Sequence, residues 1–127
     1  MPWSPFPMPE PEDVPHARLA PFRRRVGRFV DPQGRVGLLY IDSTVLMTQI
    51  TGHLWWRRWS DPREAARVVL EYPNGRIEDH LLDGDVLDRA INDWEHGVFH
   101  DAQGEVAFSL TWLDDEESAR AWEAFEG

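Results

Sequence analysis

Histidine and carboxylate residues come close together near the predicted end of a helix. His96 and His100 are four residues apart, with Asp93 and Asp101 beside them. That spacing can hold a metal ion when the chain forms one continuous helix. Gly97 interrupts such a helix, so the pattern favours a helix end followed by a turn and predicts no metal site.

A second group, Asp79, His80 and Asp83, could exchange protons as acid and base. No serine or cysteine stands beside it in a nucleophile motif. The chain also has no phosphate-binding glycine loop and no zinc-protease signature. The sequence therefore predicts neither catalytic residues nor a cofactor, and it favours a non-catalytic role.

The most unusual local sequence is an aromatic and basic run over residues 55–59. In a strand, Trp55, Arg57 and Trp59 share one face, which could stack nucleic-acid bases or hold a planar anion. The basic residues that would extend this patch from a neighbouring strand are Arg23, Arg24 and Arg25. The alternative is that one tryptophan face belongs to the core and the arginines cover its rim.

Four consecutive acidic residues precede the last predicted helix, and they are Asp114, Asp115, Glu116 and Glu117. Carboxylates in a first turn stabilise a helix because they interact favourably with its dipole. As exposed charges they could also dock on a basic protein surface, and electrostatic steering would then speed the encounter.

Charge is divided unevenly along the 127 residues, whose formal net charge is −10. Residues 18–76 carry eleven arginines and five acidic residues, whereas residues 77–127 carry fifteen acidic residues and two arginines. The net charge disfavours broad binding to phosphate backbones or anionic lipid. If the basic and acidic residues lie on separate faces of the domain, this division of charge favours docking on a basic partner. If they pair with each other, it gives no support to such docking.

The length is that of one domain. Six prolines among the first fifteen residues predict an extended or mobile segment over residues 1–17, followed by a single domain over residues 18–127. No apolar run is long enough for a transmembrane helix, and there is no cysteine. A soluble cytoplasmic protein that does not engage membranes is the expectation.

Turn signals predict most of the strands. Asp31–Gly34, Tyr72–Gly75 and Asp101–Gly104 each separate two strand-like runs and predict three hairpins. Thr44–Ile50 and His53–Trp59 are predicted to form two more strands.

Capping signals and apolar periodicity predict the helices. Asp61-Pro62 with Glu64 predicts a short helix that gives way to a strand. Asp85–His96 is predicted to be a helix with Val86, Leu87, Ala90, Ile91 and Trp94 on one stripe. In the last predicted helix, the residues expected to face inward are Ala119, Trp122 and Phe125.

These elements predict an α+β domain. It has a mainly antiparallel sheet of five to seven strands built from hairpins, with two or three helices packed on one face. The predicted core includes Phe29, Leu38, Tyr40, Trp56, Val69, Leu87, Ile91, Trp94, Phe108, Leu110, Trp122 and Phe125.

The function favoured by the sequence is a protein-binding module of the regulator, inhibitor or immunity kind. It would present the acidic residues 114–117 to a basic partner protein. The alternatives are a small nucleic-acid-binding domain that uses the Arg and Trp strands, and a small enzyme or ligand-binding domain with a pocket under the sheet. A homo-oligomer that joins the basic and acidic parts also agrees with the sequence.

Overall fold

A computed structural model describes residues 17–46, 49–51, 57–59, 63–101 and 103–127, and only the backbone of 46, 49–51 and 57–59. Residues 1–16 of the predicted N-terminal segment, Trp55, Trp56 and the Asp61-Pro62 cap lie outside the described residues. The strands are β1 (Val26–Val30), β2 (Val36–Leu46), β3 (Gln49–Thr51), β4 (Arg57–Trp59), β5 (Arg63–Glu71), β6 (Ile77–Leu82), β7 (Val98–His100) and β8 (Ala107–Trp112). The helices are α1 (Gly84–Glu95) and α2 (Asp115–Glu126), and a 3-10 turn spans Ala20–Phe22.

Six strands form one antiparallel sheet in the order β6-β5-β2-β1-β8-β7, while β3 and β4 pair separately. The three glycine turns join β1 to β2, β5 to β6 and β7 to β8, as predicted. In each turn the glycine N–H donates to the carbonyl oxygen three residues earlier, at 2.9 Å. Gly34, Gly75 and Gly104 all have positive φ, which explains why glycine stands there.

One helix packs on each face of the sheet, so the prediction that the helices share one face is wrong. The α1 face of the sheet is defined by Leu39, Val68 and the residues that alternate with them. Its core comprises Leu19, Phe22, Phe29, Leu39, Ile41, Ala66, Val68, Leu70, Leu87, Ile91, Trp94, Phe99 and Leu110. The α2 face carries the intervening positions, and its smaller core comprises Val26, Tyr40, Val69, Leu113 and Trp122.

The segment after Asp61 is a strand from its first described residue, so the predicted short helix is wrong there. Leu46 pairs with Arg63, Leu38 pairs with Glu71, and the ladder between them is unbroken. Residues that point to either face of β5 are buried, because a helix covers each face of the sheet. The strand therefore lacks the alternation of buried and exposed residues that is typical of a half-exposed strand. Glu64 is 5% exposed in this strand, where its carboxylate meets Arg23.

The predicted core is confirmed at most of its described positions, with differences at the helix surfaces. Leu38, Phe108 and Phe125 are partly buried against the two cores. Val86 of α1 is 49% exposed rather than inward-facing. Ala119 is exposed in α2, while the adjacent Ser118 is buried and its hydroxyl accepts the N–H of Val26 at 3.1 Å.

Candidate functional site

Two of the four predicted partner-binding acids have a structural task at the start of α2. The Asp114 carboxylate accepts the N–H of Glu117 at 2.7 Å, and the Glu117 carboxylate accepts the N–H of Asp114 at 3.3 Å. This is a reciprocal capping box. Asp115 and Glu116 are exposed and make no hydrogen bond or ion pair within the described part of the chain. They are therefore the two acids of this run that remain available to a partner.

The three predicted basic residues before β1 have intramolecular contacts. The Arg23 guanidinium lies 2.7 Å from a Glu64 carboxylate oxygen, and Arg24 lies 2.6 Å from Glu126. The Arg25 guanidinium lies 5.0 Å from the ring centroid of Trp112. Each of the three arginines therefore already has a contact within the described part of the chain.

The aromatic and basic run is only partly within the described chain. Arg57 and Trp59 lie in β4, paired with Thr51 and Gln49, and Trp55 lies outside the described residues. The role of Trp55, Arg57 and Trp59 in binding nucleic acid therefore stays a prediction.

Several arginines from the basic part of the sequence pair with carboxylates from the acidic part. Arg63 lies 2.8 Å from Asp83, and Arg67 lies 2.8 Å from Asp79. Arg18 lies 2.6 Å from Glu95, and Arg24 also lies 2.6 Å from Glu126. Positive and negative side chains are adjacent at these positions. The uneven division of charge along the sequence therefore does not by itself create separate charged faces.

The group of Asp79, His80 and Asp83 is not assembled. Asp79 lies on the α2 face of β6, where hydrogen bonding from Arg67 holds the pKa of Asp79 below its usual value. Asp83 lies at the start of α1, where Arg63 donates to it twice. His80 points the other way, to the α1 face, because successive residues of a strand alternate. The three residues therefore cannot act as one acid and base group.

His80 instead lines a groove between α1 and the sheet, which has a cavity volume of about 590 Å³. Its floor includes Leu39, Val68 and Leu70 of the sheet, together with Trp94 and Phe99. The polar residues that line it are His80, Arg89, Asp93, His100, Asp101 and Gln103. An apolar floor with a few polar groups at its rim is typical of sites for small organic ligands, which usually occupy roughly 300–1,000 Å³.

The β6 wall of the groove is held by a hydrogen bond outside the cavity. The Tyr72 hydroxyl donates to Glu78 at 2.6 Å, and His80 Nε2 lies 4.0 Å from the same carboxylate oxygen. Burial of Tyr72 and its bond to the Glu78 carboxylate raise the pKa of Tyr72 to about 12. Tyr72 therefore stays protonated at neutral pH and fixes Glu78 beside His80.

A histidine and carboxylate pair forms the opposite wall. Gly97 has a φ of +71° and reverses the chain after α1, so that β7 brings His100 back to the helix. His100 Nδ1 lies 2.8 Å from Asp93. An ionised carboxylate only accepts hydrogen bonds, so Nδ1 carries a hydrogen and donates a hydrogen bond to Asp93. A neutral His100 then has Nε2 as its hydrogen-bond acceptor.

The two histidines that suggested a metal site have separate partners. His96 Nδ1 lies 2.7 Å from the carbonyl oxygen of Asn92, whereas His100 pairs with Asp93. Within the described ranges, no three His, Asp or Glu side chains are grouped closely enough to hold a metal ion.

The groove itself was not located by the sequence patterns, although each wall carried a signal. Asp93 lies seven residues before His100, and His80 follows Asp79 directly. What placed these residues together was the pairing of β6 with β5 and the reversal at Gly97. Val86 belongs to the apolar stripe that the sequence predicts for α1, and it lines the groove from that helix.

The fold and groove together define an α+β protein with one helix on each face of a six-stranded antiparallel sheet and an open cleft under one helix. Comparisons with known protein families, with curated proteins and with solved structures found no match to this chain. No helix in the described ranges is long and apolar enough to span a membrane.

Proposed function

We propose that the protein is a small-molecule-binding domain whose ligand occupies the groove between α1 and the sheet. The observation that carries this proposal is the cavity of about 590 Å³ with an apolar floor and a polar rim. Among the functions that the sequence left open, a ligand-binding domain is the one that needs a pocket under the sheet. Asp93 and His100, which lie 2.8 Å apart, supply polar groups at the rim of this groove.

The same structure gives less support to binding that depends on charge alone. Arg18, Arg24, Arg63 and Arg67 each have a carboxylate partner within the chain. Exposed ion pairs of this kind contribute little to stability, about 0–1 kcal/mol each, but they reduce the net field that an arriving partner meets. The groove does not depend on that field.

Replacing Val86 by tryptophan is expected to block the groove, because Val86 is 49% exposed and lines it from α1. The neutral apolar fluorophore N-phenylnaphthylamine serves as the probe. We expect its fluorescence to rise and saturate at one site in the wild type. Its affinity should fall by about tenfold or more in Val86→Trp, since a bulky side chain competes for the same volume.

Val30→Trp is the matched control for this experiment. Val30 is 44% exposed but lies on the α2 face of β1, so the same substitution there adds equal apolar surface away from the groove. Equal binding by wild type and both variants, or no saturable binding by the wild type, would contradict the proposal.

A second candidate function is protein binding through the exposed acids at the start of α2. Asp115 and Glu116 favour it because neither has a partner within the described chain, in contrast to Asp114 and Glu117. Their carboxylates would meet a basic surface on another protein.

Neutralising Asp115 and Glu116 together tests this second function. The variant Asp115→Asn/Glu116→Gln keeps the capping box and should stay folded by circular dichroism. We expect it to lose proteins that the wild type captures from a nuclease-treated native lysate. Capture that survives this change excludes these two acids as the contact.

A further inference from the structure

The charged residues around the groove differ in whether their hydrogen-bonding capacity is already used. Asp93 accepts from His100 at 2.8 Å. Asp101 accepts the N–H groups of Gln103 and Glu105 in its own turn, at 3.1 and 3.0 Å. Arg89 makes no hydrogen bond or ion pair with any described residue. Arg89 is therefore the charged residue of the rim whose donors have no partner among the described residues.

Arg89 has no partner among the described residues, even though α1 carries two carboxylates at a suitable spacing. Asp85 and Asp93 stand four residues before and after it, which is the spacing of an ion pair on a helix surface. Asp93 is held instead by His100, which β7 brings to the helix. Asp85 makes no ion pair with Arg89 either. The pairing of Asp93 with His100 thus leaves the guanidinium available at the mouth of an apolar cavity.

From this arrangement, and resting on the proposed function, we infer that the groove ligand is an organic carboxylate with an apolar body. Its carboxylate is bound by Arg89, and its hydrocarbon or aromatic part lies on the floor formed by Leu39, Val68 and Trp94. A guanidinium presents two parallel N–H donors that match the geometry of a carboxylate.

Two probes with the same body and different ends test the assignment. Phenylbutyrate carries a carboxylate, and phenylbutyramide replaces it with a neutral amide. Each is titrated into the full chain, and displacement of N-phenylnaphthylamine gives its affinity. We expect the wild type to prefer phenylbutyrate by about tenfold at low salt, which is the scale of a hydrogen bond to a charged group at an exposed site. The preference should shrink as salt is added.

Arg89→Gln should abolish the preference, because the glutamine side chain carries no charge that distinguishes the acid from the amide. Arg89→Lys should keep part of it, since a charge remains but the paired donors are lost. Arg120→Gln is the matched control, because Arg120 is an exposed arginine on α2, the helix of the other face. Only Arg89 variants should change the preference.

The outcomes separate this inference from the proposed function. If the fluorophore binds in the groove but the acid and the amide bind equally, or the preference survives Arg89→Gln, the carboxylate assignment is overturned and the groove remains a binding site. If the fluorophore itself does not bind, the proposed function fails first. A wild-type dimer in sedimentation that Arg89→Gln dissociates would assign the groove to a second copy of the chain and overturn the inference as well.

Discussion

Phe29→Ala is expected to lower the free energy of unfolding by about 3–5 kcal/mol, the range for removing a fully buried aromatic side chain. The Phe29 side chain is completely buried on the α1 face of β1. Its ring centroid lies 4.7 Å from that of Phe99, 5.5 Å from that of Phe108 and 5.7 Å from that of Tyr72, in edge-to-face arrangements. The three rings around it come from two other hairpins, β5–β6 and β7–β8, so no single neighbour can move to fill the space.

Gly37 provides an independent check on the position of this ring. Gly37 pairs with Phe29 across the β1–β2 hairpin, and a Cβ built on Gly37 would overlap the phenyl ring. Gly37→Ala should therefore be destabilising by about 1–3 kcal/mol in the wild type. In the Phe29→Ala background the same change should be nearly neutral, because the ring is gone.

Denaturant unfolding of the single and double variants measures both effects. The double-mutant cycle should give a coupling energy of at least about 1 kcal/mol between positions 29 and 37. Val30→Ala is the control, because Val30 is the next residue of the same strand and is 44% exposed. Additive effects, or a Phe29→Ala loss as small as that of Val30→Ala, would show that the ring does not lie over Gly37.

Local signals were sufficient to predict the hairpins and both helices. The turns at Gly34, Gly75 and Gly104 need a residue that tolerates positive φ, and the sequence marks that need directly. The bounds of α1 and α2 follow from an apolar stripe, a stop at Gly97 and the capping box at Asp114. Each of these features depends on residues fewer than five positions apart.

The errors arise where distant residues decide the structure. The Asp61-Pro62 signature favours a helix start, but the described residues from Arg63 onward gain a nine-residue ladder with β2 and burial on both faces. Tertiary pairing outweighs a local preference of this size. The placement of one helix on each side could not be predicted either, because it depends on which strand lies in the middle of the sheet.

The candidate site shows the same limit. Asp93 and His100 are separated by a chain reversal, and His80 reaches the groove only because β6 pairs with β5 in one register. A shift of one residue in that register would send His80 to the α2 face and Asp79 to the groove. The sequence contained the residues of the rim, but their combination is a property of the sheet.

The smaller core, on the α2 face of the sheet, depends more heavily on a single residue than the larger core on the α1 face does. Trp122 is 1% exposed and forms the centre of the smaller core. Its ring lies 5.3 Å from that of Tyr40, and the Arg24 guanidinium lies 4.3 Å from its centroid. We expect Trp122→Ala to lower the free energy of unfolding by about 3–5 kcal/mol, because α2 has few other buried anchors. Chemical denaturation followed by far-UV circular dichroism measures the loss.

Two substitutions calibrate this result. Glu123→Ala changes the exposed neighbour on α2 and should shift stability by no more than about 0.5 kcal/mol. Trp122→Phe should lose much less than Trp122→Ala, because the indole N–H is buried without an acceptor in the described part of the chain and there is no hydrogen bond to remove. A loss for Trp122→Ala near that of Glu123→Ala would show that α2 is not held by this core.

The Trp122 variants also test whether the two faces act separately. The groove lies on the α1 face, and Trp122 belongs to the core on the other side of the sheet. A Trp122→Phe protein that remains folded should therefore bind N-phenylnaphthylamine with the affinity of the wild type, even though its unfolding midpoint is lower. Loss of probe binding by this folded variant would mean that α2 shapes the groove through the sheet, and the site could then no longer be assigned to α1, β6 and β7 alone.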